Sequence, residues 1–161
     1  MIAKYKPFLF FLISTVTFIL ACDQVDNSKK VNNSETKLLS KGLLSLDTFS
    51  VFPPEIDGCS CYFSNSETEF KDNKYIYLND FASISFLKIN GVITKFKQVS
   101  FEIKSGSVTV AKYKNENYDM VIEVIDGKQS GEETSIKTGT IKLTNKKGET
   151  ISRTFFGECG C

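Results

Sequence analysis

The sequence predicts an all-β domain, a single antiparallel meander of about eight strands forming a barrel or sandwich, behind an apolar leader and a polar tether. Three observations predict it. From Cys59 onward, short runs rich in Val, Ile, Phe, Tyr and Thr follow one another at the spacing of strands. Turn chemistry separates them, at Asn90-Gly91, Ser105-Gly106, Asp126-Gly127 and Asn145-Lys146-Lys147-Gly148. No stretch of useful length there carries a helical period.

Residues 61–64 and 74–78 open the series. Residues 84–89 and 92–96 flank Asn90-Gly91, a dipeptide that favours the type I′ turn whose twist suits a hairpin. Val99, Phe101 and Ile103 alternate with Ser100, Glu102 and Lys104, as a strand with one wet face should. Residues 107–114 come next, then a turn at Asn115-Glu116-Asn117. Tyr118, Met120, Ile122 and Val124 share one face of the following strand, and Asp119, Val121, Glu123 and Ile125 the other. Asp126-Gly127 stops that strand, and polar residues run to Glu133. Residues 136–144 and 149–156 form the last pair. The many phenylalanines and tyrosines of residues 46–161 supply the filling of one core. There is no internal repeat.

The leader has three zones: Lys4 and Lys6, a nearly all-apolar run over residues 7–20, and the small Ala21. That order is a secretory signal. As a helix the run of fourteen residues would rise only about 21 Å, short of the about 30 Å that a permanent span of roughly 20 apolar residues covers. It ends in Ile19-Leu20-Ala21-Cys22, which resembles the lipobox of bacterial lipoprotein precursors, with Leu20 bulkier than the usual second residue. The resemblance implies cleavage after Ala21, a diacylglyceryl group on Cys22, and acylation of the new amine by a fatty acid such as palmitate. The mature protein would then sit in the cell envelope, lipid-anchored to a bacterial membrane on its periplasmic or outer face. Residues 1–21 are read as the signal peptide and residues 22–45 as lipidated cysteine and tether. The polar stretch 23–37 cannot bury enough to fold alone and has a mean reach of about 20–23 Å. Residues 38–52 read as a short helix or an extended strap lying on the domain.

Four cysteines remain beyond Cys22: Cys59 and Cys61 at the entrance of the domain, Cys159 and Cys161 at its exit. Residues two apart on a strand project to the same face. If the first and last strands pair antiparallel, one register sets Cys59 opposite Cys161 and Cys61 opposite Cys159. Disulfides suit an exported chain, and three pairings are open. The alternatives are a tetrahedral thiolate site for one soft metal, zinc or copper(I), and a thiol-redox pair. The Cys-x-Cys spacing is tighter than structural zinc sites favour.

Other chemistry is scarce. The chain has no histidine, which removes the commonest general base and imidazole ligand. Asp119 and Glu123 lie about 13–14 Å apart along one strand, too far for a glycosidase pair. Asn115, Asn117 and Asp119 lack the glycine and closing glutamate of a calcium loop. No catalytic residue, cofactor or resident metal is assigned. The formal charge is +1, and losing Lys4 and Lys6 with the leader makes it −1, which predicts no nucleic-acid binding. Charge is nevertheless polarised. Residues 82–114 hold Lys88, Lys95, Lys97, Lys104, Lys112 and Lys114 against Glu102, while residues 115–135 hold six acids against Lys128. The lysines form a candidate basic face for anionic lipid or an acidic envelope protein, or guard sheet edges against self-pairing. The expected function is a non-enzymatic binding module of the envelope. Its architecture resembles the lysozyme-inhibitor lipoproteins, small anchored barrels closed by cysteines, at the level of fold alone.

Overall fold

The computed structural model of the chain describes residues 43–161. Asn90 and Gly91 both take positive φ, 48° and 81°, as a type I′ turn demands. Strand β4 (Ile84–Ile89) therefore folds straight back on β5 (Val92–Ser105), with Ile89 opposite Val92 and Phe86 opposite Lys95. The same antiparallel step repeats through β6 (Val108–Lys114), β7 (Tyr118–Gln129), β8 (Thr134–Asn145) and β9 (Thr150–Gly160). On the other side β4 pairs with β3 (Tyr77–Asn79), and β3 with β2 (Ser60–Ser64). Strand β9 then pairs with β2 and closes the ring. The meander is thus a closed eight-stranded barrel, and the choice between barrel and sandwich is settled by that seam. A ninth, two-residue strand, β1 (Leu46–Asp47), adds to β4 where β3 has ended.

Alternation along each strand decides what fills the barrel. Phe63, Leu87, Phe96, Met120, Ile141 and Leu143 point inward and are at most 1% exposed. Each such side chain contributes about 1.5–3 kcal/mol by leaving water. Leu44, Leu46, Tyr118 and Ile151 pack beneath them, so one end of the barrel is plugged. Phe63 lies flat against Phe155, ring centroids 4.2 Å apart. Gly157 makes room for it, since a Cβ there would meet the Tyr62 carbonyl oxygen and, at 2.6 Å, Cδ1 of Phe63.

A second cluster lies outside the barrel wall. Phe49, Tyr75, Leu78 and Phe86 pack with Ile56, Tyr62 and Phe70. Phe49 and Tyr75 exchange backbone hydrogen bonds of 2.8 and 2.9 Å, so the described part of residues 38–52 is an extended strap and not a helix. One helical turn, α1 (Glu67–Lys71), supports Phe70 against Tyr62. The absence of helical period did not foresee it, because one turn is too short to show a period. Its signal was local: Ser66 caps the turn by accepting from the Glu69 N–H at 3.2 Å. Among the described residues no helix is long and apolar enough to cross a membrane.

Two expectations need correction. Residues 99–105 do not have one dry face: Val99, Phe101 and Ile103 are 53%, 57% and 66% exposed. Pairing with β4 ends at Ile84 opposite Lys97, so beyond that point β5 has only β6 beside it and rises above its other neighbour. Asp126-Gly127 does not end β7 either. The strand passes through an irregularity there and continues to Gln129.

Candidate binding site

The end of the barrel opposite the plug is open. Eight strands make an interior just wide enough to be filled by side chains or to hold one small ligand. This barrel is filled by side chains in its lower half and leaves open space in its upper half. There a cavity of about 450 Å³ lies over Phe63, Tyr77, Tyr113 and Ile122. Small inward residues on β6, Thr109 and Ala111, leave the space that larger ones would occupy. Val124 and the Cys61–Cys159 bridge complete the apolar wall.

Polar groups in the cavity are few, and most are satisfied. The Asn79 carbonyl oxygen accepts from the backbone N–H groups of Cys61 (3.1 Å) and Phe81 (3.3 Å), and its amide donates to the Tyr113 hydroxyl at 3.5 Å. Burial pushes the Tyr77 phenol well above its ordinary pKa, with the neighbouring Tyr113 phenol adding to the shift. It stays neutral at physiological pH. At the rim Asp126 and Lys137 are cross-strand partners, Nζ to Oδ1 2.7 Å, and compensate each other's charge. The side chains of Gln98 and Thr109 line the cavity and make no hydrogen bond among the described residues.

The lip of the cavity holds a strained residue. Phe81 takes φ 60°, a left-handed conformation that asparagine or glycine tolerates and a bulky aromatic resists. It is held there from both sides, by Asn79 accepting from its own N–H and by Asp80 Oδ1 accepting from the N–H groups of Ala82, Ser83 and Ile84. Its ring is half exposed and lines the mouth beside Phe101. Strain of this kind persists where surrounding structure over-determines it, and it concentrates at ligand clamps.

The four cysteines come together as two bridges, Cys59–Cys161 and Cys61–Cys159, in the register that pairs β2 with β9. Cys61 and Cys159 are buried in the cavity wall, while Cys59 and Cys161 stand at the exposed end of the seam. Sulfurs joined pairwise are not thiolates, and a tetrahedral sulfur site needs four of those. Cys22 lies outside the described residues.

The six lysines all project from the outer wall of β4, β5 and β6, where Lys97 stands directly opposite Lys114. Lys95 reaches Glu55 at 3.6 Å and Lys104 reaches Glu123 at 3.1 Å. Lys88, Lys97, Lys112 and Lys114 have no carboxylate within 4.0 Å among the described residues. The acid-rich segment does not lie apart from them, because β7 pairs with β6 and brings Asp119 opposite Lys114.

Sequence reasoning did not find the cavity. Its one legible trace was the inward series Thr109 and Ala111, smaller than the residues opposite on β7. Whether inward residues meet across a barrel depends on the whole ring, which no single strand displays. No protein-family model, curated protein or solved structure matches the chain.

Proposed function

We propose that this chain is an exported lipoprotein, anchored through Cys22 in the cell envelope, whose barrel binds a small apolar ligand in its open end without catalysing a reaction. The observation that carries the reading is the cavity of about 450 Å³, within the range of sites that enclose drug-sized molecules, about 300–1,000 Å³. A strained aromatic at its lip and a disulfide in its wall support a mouth held in one shape. The missing histidine, and a cavity whose charged lining residues among those described, Asp126 and Lys137, neutralise each other, favour binding over acid–base chemistry. The bridged cysteines favour a structural role over the soft-metal and thiol-redox alternatives.

The barrel closes on itself within residues 43–161, so this part carries its own core and every strand pairing described. Titrating it with N-phenyl-1-naphthylamine, an uncharged dye that brightens in apolar surroundings, tests the reading. One saturable site is expected, abolished by Thr109→Phe or Ala111→Phe with the circular dichroism unchanged. No saturable signal from the folded barrel would refute it. Mass spectrometry of the membrane-extracted protein tests the anchor, expected as acylated Cys22 at the amino terminus.

A second reading rests on Lys97 and Lys114. Like charges set opposite each other on a sheet cost stability, and an anionic partner relieves that cost. On this reading the outer wall of β4 to β6 meets an acidic envelope protein or anionic headgroups.

A further inference from the structure

We infer that the ligand is an uncharged amphiphile with a single alkyl chain, tail against the aromatic floor and hydrogen-bonding head toward the rim. This rests on the ligand-binding reading of the same cavity and names its substrate class. Three observations carry it.

The first is size. A volume of about 450 Å³ accommodates roughly fifteen water-sized groups at about 30 Å³ each, enough for one medium alkyl chain and too little for two. The second is charge. Lys137 and Asp126 already satisfy each other at 2.7 Å, and Lys137 is only 14% exposed. A carboxylate seeking Lys137 must displace Asp126 and leave it beside the new anion. An ammonium seeking Asp126 strands Lys137 in the same way. The first exchange sets two carboxylates side by side at one ammonium, and the second leaves the poorly solvated Lys137 without its partner, whereas a neutral head disturbs neither. The third is the pair of free neutral hydrogen-bonding groups. The Gln98 amide both donates and accepts, and so does the Thr109 hydroxyl. Both face the cavity without a protein partner among the described residues, and an alcohol, ester or amide head satisfies them.

The test is displacement of N-phenyl-1-naphthylamine from residues 43–161 at pH 7.5, with 1-dodecanol, 1-monolauroylglycerol, dodecanoate and dodecylammonium each below its micellar concentration. The uncharged compounds are expected to displace the dye at least tenfold more tightly than the two ions of equal chain length. Shortening the alcohol is expected to weaken it about fourfold per methylene. Asp126→Asn frees Lys137 without removing it, and is expected to raise dodecanoate affinity at least tenfold relative to dodecanol. Dodecanoate equal to or tighter than dodecanol on the native barrel would overturn the inference, as would Asp126→Asn failing to favour the anion. Dye that binds but yields to none of the four also overturns it, and points to a compact ring ligand while leaving the binding role standing. Dye that never binds removes the binding role itself.

Discussion

Removing the two bridges one at a time and then together tests how they hold the barrel. Each closes a long loop, with sequence separations of 102 for Cys59–Cys161 and 98 for Cys61–Cys159. In the chain-entropy account the first closure of that length contributes about 4–5 kcal/mol. Once one bridge exists, the other closes only a small ring through Ser60 and Gly160, which the same relation values at about 2 kcal/mol. Replacing Cys59 and Cys161 by alanine should therefore cost about 2 kcal/mol. Replacing Cys61 and Cys159 should cost about 3 kcal/mol, because those sulfurs are also buried in the cavity wall and their packing is lost as well. Replacing all four should cost about 7 kcal/mol, a large share of a domain's usual 5–15. The assay is urea unfolding of residues 43–161 followed by far-ultraviolet circular dichroism, comparing free energies with the slopes held to a common value. The signature is the excess of the quadruple variant over the sum of the pairs, about 2 kcal/mol. Costs that add within about 0.5 kcal/mol would refute the reasoning, since they would mean that the bridges do not share one loop.

Three further outcomes follow from the geometry. Phe81→Asn should raise stability by about 0.5–1.5 kcal/mol, by relieving the left-handed backbone at φ 60°, while weakening dye binding at the lip; thermal unfolding and titration of the same sample check both halves. Burial holds the Tyr77 phenol neutral in the fold while the unfolded phenol ionises near 10.0, so its contribution is complete below pH 10 and declines as pH rises above it. Tyr77→Phe should accordingly flatten the alkaline limb of a stability-against-pH curve, and an unchanged limb would contradict the assignment. Lys97→Glu should gain about 0.2–1 kcal/mol in urea unfolding at low salt by turning a like-charge pair with Lys114 into an attractive one, an effect that fades as salt is added.

Local chemistry was the readable part of this fold. Asn90-Gly91 specifies its turn whatever surrounds it, and the alternation of Met120, Ile122 and Val124 against Asp119 and Glu123 reports which face is wet. The cysteine register was legible for the same reason, because two doublets with matched spacing admit a side-by-side pairing once their strands meet. What the sequence left open depends on relations between distant strands. Barrel and sandwich differ only in whether β9 finds β2. Val99, Phe101 and Ile103 look half-buried by pattern, yet their burial depends on where β4 begins, and it begins too late to cover them. Phe81 looks like an ordinary loop aromatic until the backbone shows its positive φ. The lysines were legible as a cluster, but the acids of β7 proved to be their neighbours and not a separate pole.

The seam between β2 and β9 also dictates an order of assembly. The other pairings that make the ring join strands adjacent along the chain, and hairpins of that kind form in about 1–10 μs. The seam alone must bring together segments some hundred residues apart, and such non-local pairings are the slow ones. The ring therefore shuts last, and the thiols of Cys61 and Cys159 meet only when nearly everything else is in place. Oxidation seals a vessel already built, and a chain kept reduced should gather its hairpins early yet hesitate at the final joint.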